Sequence, residues 1–200
     1  YFLLLCLMCL STFASQAKTP SSDEVKVISY NIRFANKKDG ANIWQNRAKA
    51  SPAMIKDYAP DVFGVQEALA VQLEYLDEKL PQYSFVGVGR EDGEKKGETM
   101  AIFYNTRKVR LLDWGTYWLS ETPDKPSRGW DADCKRTATW TLMEMKDSGR
   151  KFFYVNTHLD HRGDVAQQKG LELIVERIAA MNQEGLPMIL TGDFNVEPED

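Results

Sequence analysis

Between residues 83 and 157 the chain offers five extended segments in succession and no helix, at about 83–89, 99–104, 109–119, 137–145 and 151–157. Parallel neighbours each need a crossover of about a dozen residues or more, whereas antiparallel neighbours need only a turn. The central run must therefore pair largely antiparallel. Helical spacing lies on either side of it. Over residues 44–58, Trp44, Ala48, Pro52 and Ile55 fall roughly on one side, although Pro52 weakens the middle of such a helix. Residues 70–80 read as a second helix, closed by Pro81, and residues 164–181 as a third. Asp164 is placed to cap that third helix, with Gln167 three residues on in the capping-box position. Alternation over residues 25–33 and the apolar runs VFGVQ (62–66) and MILTG (188–192) add further strands. Helices early and late around a run of strands make a mixed α/β fold.

Composition narrows the function classes. With 43% hydrophobic and 27% charged residues the 200-residue chain can bury a core, which excludes a disordered tail or linker. Its net charge of −4 argues against docking on polyanions through counterion release. The first seventeen residues carry no charge and run from an apolar stretch into Ser15-Gln16-Ala17, the pattern of a secretory signal peptide. The expectation is an exported protein, periplasmic or extracellular, with no stable membrane anchor after cleavage. Residues 18–24 read as a linker and 25–200 as one domain, expected to be incomplete because it stops inside the polar run GDFNVEPED. Beyond the signal segment Cys134 is the single cysteine, so no internal disulfide supports the fold. A monomer is expected.

Polar residues stand where the apolar strands end. Asn31 interrupts the first, Glu67 follows VFGVQ, His158 follows FFYVNT, and Asp193 and Asn195 follow MILTG. Each alone reads as a turn cap. Together, carboxylates, amides and an imidazole at one sheet edge suit a hard divalent cation and a phosphoryl group, since Mg²⁺ takes oxygen ligands and keeps several waters. Zinc fits less well. His158 and His161 are the two histidines, strand alternation would point them apart, and no third His joins them. Asp193-x-Asn195-x-Glu197 opens like a calcium loop, but Pro198 stands where that loop needs glycine. Neither a phosphate-binding GxxxxGK[ST] run nor a GxSxG elbow is present. The polar loop 120–135 carries two prolines, Arg128 and Trp130, and reads as a substrate rim on which the indole can stack on a sugar or base. Glu94, Lys95 and Lys96 read as a solvated hairpin tip.

The segments ISYNIR, GVQEA, TMAIFYN, NTHLDH and TGDFNVEP, in this order, resemble the endonuclease/exonuclease/phosphatase superfamily over residues 25–200. That superfamily includes pancreatic deoxyribonuclease, exonuclease III-type repair enzymes, sphingomyelinases, inositol-polyphosphate phosphatases and deadenylases. The loop around residues 119–140 is similar to an exported bacterial branch near the deadenylase-like and sugar-phosphatase-like members. The resemblance implies a four-layer α/β/β/α sandwich with two mixed, largely antiparallel sheets. It implies Glu67 as the main Mg²⁺ ligand, with Asn31 beside it and Mn²⁺ as the alternative ion. Asp193 would activate water, Asn195 would hold the phosphoryl group, and His158 would contact a phosphate oxygen or assist the leaving group. Arg136 would bridge to the phosphate or lock a carboxylate. The superfamily's closing Asp-His pair has no counterpart in the 200 residues. The activity so implied is metal-dependent hydrolysis of a phosphate ester on a small phosphorylated sugar or lipid headgroup. A secreted nuclease is the first alternative and a silent binding module the second.

Overall fold

The computed structural model describes residues 24–197. The expected signal segment, all but the last residue of the expected linker, and Pro198 lie outside the described residues. Two four-stranded sheets stack face to face. The first holds β1 (Val27–Asn31), β2 (Val62–Gln66), β3 (Tyr83–Val86) and β4 (Ile102–Asn105) in the order β1-β2-β4-β3. The second holds β5 (Val109–Trp118), β6 (Thr137–Met145), β7 (Lys151–His158) and β8 (Met188–Asp193) in chain order. Each sheet has one parallel pair, β1 with β2 and β7 with β8, and two antiparallel pairs.

Alternation along the strands assigns each side chain to a layer. On β2, Phe63 and Val65 face the helices α1 (Trp44–Arg47), α2 (Ala50–Tyr58) and α3 (Ala70–Lys79), where they join Trp44, Ile55, Leu73 and Leu76. On β7, Phe153 and Val155 face α4 (Asp164–Met181) with Ile174 and Ile178. Val62, Ile102, Met143, Phe152 and Tyr154 fill the space between the sheets. Helices, sheet, sheet and helix make the expected four layers.

The inner columns change character along their length. Val27, Ser29 and Asn31 follow one another on β1, and Phe152, Tyr154, Asn156 and His158 on β7; β8 places Ile189, Thr191 and Asp193 in the same order. Apolar residues thus occupy one end of the inter-sheet layer and polar residues the other. The transition is a hydrogen-bonded network: Gln66 Nε2 donates to Asn156 Oδ1 at 2.6 Å, and Asn156 Nδ2 to the carbonyls of Val65 and Ala101 at 2.9 and 3.1 Å. Such buried amides are tolerable because they are satisfied.

Gly64 lets the sheets approach at this point. A Cβ there would lie 2.5 Å from Asn156 Oδ1 and 2.9 Å from Thr191 Oγ1. Asn156 is pinned by these hydrogen bonds and one more from Thr191 Oγ1 and cannot yield, so Gly64→Ala is expected to destabilise the fold by about 1–3 kcal/mol, as overpacking does. Denaturant unfolding checks this; an unchanged midpoint would mean that the sheets can separate freely.

Three local expectations are corrected. The single helix over 44–58 is two, broken at Ala48 and Lys49, and Pro52 sits in the first turn of α2, where its missing N–H goes unneeded. Asp164 is not the cap of α4: Gly163 occupies that place, and Asp131 from the 120–135 loop accepts hydrogen bonds from Ala166 N at 2.8 Å and Val165 N at 3.4 Å. A cap from a distant loop leaves no local signature. The strands expected at 83–89 and 99–104 are shorter, and Thr99 instead makes isolated bridges to Ala68 and Gly89.

Candidate active site

The parallel pairs bring the C-terminal ends of β1, β2, β7 and β8 to one edge, with Asn31 in register with Gln66 and His158 with Asp193. Glu67 follows β2 with a left-handed φ of 62°, a conformation that costs a side-chain-bearing residue energy and clusters at functional sites. Its carboxylate is held from two directions: Asn31 Nδ2 donates to Oε1 at 2.9 Å, and Phe34 N to Oε2 at 3.0 Å. Arg47 fixes the loop that carries Phe34 by donating to the carbonyls of Ile32, Arg33 and Phe34. Helix α1 thus works through Arg47 to place the Glu67 carboxylate.

Asn31 also donates to Asp193 Oδ2 at 2.8 Å, so one amide joins the two carboxylates. Asp193 Oδ1 accepts from Asn195 N at 3.1 Å, and Asn195 Nδ2 donates to Leu159 O at 3.0 Å. His158 Nε2 lies 3.8 Å from Asp193 Oδ2. A cleft of about 320 Å³ opens over this edge, lined by Glu67, His158, Asp193 and Asn195 together with Arg33, Arg90, Glu98 and Arg136, among others.

A family model described as the endonuclease/exonuclease/phosphatase family matches residues 28–200. The chain belongs to this family. A mannosyl-6-phosphatase of Bacteroides thetaiotaomicron superimposes with a TM-score of 0.86 at 42% identity, over 88% of this chain and 67% of that one. An uncharacterized protein of Acanthamoeba polyphaga mimivirus is 30% identical over 183 residues, 86% of this chain and 68% of its own length. The probable RNA exonuclease NGL3 of Saccharomyces cerevisiae is 27% identical over 206 residues, 91% of this chain but 39% of its own length. Endonuclease/exonuclease/phosphatase enzymes hydrolyse phosphate esters and generally depend on a divalent metal ion, so the chain is phosphoesterase-like.

The residues suit such an ion. Glu67 and Asp193 both accept from the Asn31 amide, and among the described residues neither is neutralised by a Lys or Arg ion pair. No group of three or more His, Cys, Asp and Glu side chains able to hold a metal is assembled among the described residues. A cation held at Glu67 would keep several waters in its coordination shell.

Arg136 is 5% exposed, and Asp160 anchors it. Arg136 Nε donates to Asp160 Oδ2 at 3.1 Å, and Nη2 lies 3.0 Å from His161 Nδ1. The expectation that strand alternation points His161 away from His158 is thus corrected: β7 ends at His158, alternation ends with it, and both imidazoles line one cleft. Asp160 also accepts from the backbone N–H groups of Asp133, Cys134, Arg162 and Gly163. Burial alone would raise this carboxyl, but its backbone N–H donors and Arg136 outweigh that and hold it well below the usual carboxylate range. Trp130 and Arg128 are not brought to the cleft lining. Trp130 packs against the core between α4 and the second sheet, while Arg128 is exposed.

Burial pushes the His158 imidazole down to about 4, with the charge of Arg136 acting the same way and Asp193 and Glu67 opposing. The ring is neutral at neutral pH. The unfolded chain takes up this proton near pH 6.5 and the folded chain near 4, so the stability of the neutral-ring fold is complete above pH 6.5. It falls as pH drops through the window, by about 3 kcal/mol at its foot. Denaturant unfolding of metal-free protein at several pH values should show this slope, and His158→Gln should flatten it. An equal slope in the variant would assign the effect to other groups.

Proposed function

We propose that the protein hydrolyses a phosphate ester by in-line attack of water, with a divalent metal ion held by Glu67 and Asn31. The observation that carries this reading is the Asn31 amide joined to both the Glu67 and Asp193 carboxylates at 2.9 and 2.8 Å. An ion held by Glu67 and Asn31 would supply positive charge to neutralise the phosphoryl oxygens. Asp193, oriented by Asn31 and by Asn195 N, takes the proton of the attacking water. Asn195 gives one amide N–H to Leu159 O, which leaves the other for a phosphoryl oxygen. His158, neutral, donates a hydrogen bond without adding charge. Arg136, fixed by Asp160, supplies positive charge to the same cleft. No covalent intermediate is required.

The substrate in this reading is a small phosphorylated sugar or lipid headgroup. The net charge of −4, the cleft of about 320 Å³ and the 42% identity to a mannosyl-6-phosphatase support a small ester over a polyanion. The uncharged leader supports action outside the cytoplasm. The likeness to an RNA exonuclease favours nucleic acid as the second reading. Rates on mannose 6-phosphate, a lipid-headgroup phosphodiester and single-stranded oligonucleotides, each with and without Mg²⁺, test both. The sugar phosphate is expected to give the highest kcat/KM. Faster metal-dependent cleavage of oligonucleotides would replace it with the second reading, and absence of turnover on all would favour a silent binding module.

A further inference from the structure

The loop between β3 and β4 folds back beneath the cleft. Arg90 N donates to Glu98 O at 3.0 Å and Glu91 N to Lys96 O at 3.0 Å. The loop is stapled to the second sheet and the 120–135 loop: Trp118 Nε1 donates to Arg90 O at 2.7 Å, and Lys135 Nζ to Glu91 O at 2.9 Å. The expected solvated tip, Glu94 to Lys96, is exposed, but its two flanks are not. Arg90 and Glu98 turn into the cleft, with side chains only 13% and 14% exposed. Arg90 Nη1 donates to Glu98 Oε2 at 2.8 Å. Nothing in the catalytic reading uses this pair.

We propose that Arg90 and Glu98 form a hydroxyl-reading subsite that holds the uncharged polyol half of a phosphomonoester, beside the phosphoryl end at Glu67, Asp193 and His158. This deepens the phosphoesterase reading and rests on it. The pair is formally neutral, and the Glu91 carboxylate that also lies 3.7 Å from Arg90 Nε is itself met by Lys135. The pair keeps carboxylate lone pairs and guanidinium donors for a ligand, a set that matches hydroxyls, which both donate and accept. Burial raises the Glu98 carboxyl while Arg90 opposes, which marks a poorly hydrated wall where added hydrogen bonds are strong.

A nucleic acid strand needs a different wall. Its next phosphate requires net positive charge, and its base requires an aromatic face. Glu98 cancels Arg90, and the one phenyl ring lining the cleft, Phe34, has the Arg33 guanidinium 4.8 Å from its centroid. A sugar or another polyol meets neither obstacle.

The test compares wild type, Glu98→Gln and Arg90→Lys in the complete protein. kcat/KM is measured on mannose 6-phosphate and on p-nitrophenyl phosphate, whose leaving group has no hydroxyls. Binding of free mannose is followed by NMR titration. Loss of one charge-assisted hydrogen bond should cut kcat/KM on mannose 6-phosphate about 10- to 100-fold and weaken mannose binding. Turnover of p-nitrophenyl phosphate should hold, which also shows that the variants fold. Equal losses on both esters, or unchanged values on both with unchanged mannose binding, would overturn the subsite. If wild type hydrolyses neither ester but the variants lose mannose binding, the subsite stands and the phosphatase reading falls.

Discussion

Asp193→Asn is expected to lower kcat by about 10²–10⁴, the range for removal of a positioned proton acceptor. The carboxylate is oriented at both oxygens, by Asn31 Nδ2 at 2.8 Å and Asn195 N at 3.1 Å. An amide in its place can accept from one of these donors but not both, because its other arm is itself a donor. The stability cost is then about 1 kcal/mol, one net hydrogen bond. A rate loss this large against so small a stability loss separates chemistry from folding. Saturating kinetics with denaturant unfolding on the same preparations measure the two. A variant that keeps its kcat would move the proton acceptor elsewhere.

The second large effect falls on stability. Asp160 is 1% exposed and takes hydrogen bonds from Arg136 Nε and four backbone N–H groups, which join the 120–135 loop to the start of α4. Asp160→Ala leaves the buried guanidinium without its partner and is expected to cost about 3–5 kcal/mol, as removal of one member of a buried ion pair does. Asp160→Asn should cost less, because it still accepts at one oxygen. Denaturant midpoints of the three proteins test the order. If Asp160→Ala unfolds like wild type, Arg136 has another anchor.

Most of the strand plan was legible because it depends on period-two patterning and on turn chemistry. The bounds 137–145 and 62–66 read from sequence coincide with β6 and β2. Five of the candidate site residues, Asn31, Glu67, His158, Asp193 and Asn195, stand at strand ends, and the parallel pairs carry them to one edge. Contacts made across long sequence separation left no such trace. Asp131 caps a helix 33 residues later, and Asp160 meets Arg136 across 24 residues. Arg90 and Glu98 were hidden in a loop whose tip is polar, since polarity there reads as exposure. His161 was misplaced because alternation was extended past the end of its strand. As a large aromatic residue in a polar loop Trp130 reads as a substrate platform, yet a loop indole can equally serve to bury the loop.

Mg²⁺ titration of wild type and Glu67→Gln in the complete protein, read by calorimetry and by phosphate release in parallel, tests the metal centre most directly. Glu67 is the proposed ligand, held by Asn31 and Phe34 N, and Gln keeps its shape while removing its charge. A cation centre at Glu67 predicts saturable Mg²⁺ binding in wild type, turnover that rises with that saturation, and loss of both in the variant. The same Mg²⁺ affinity and metal dependence in Glu67→Gln would contradict it.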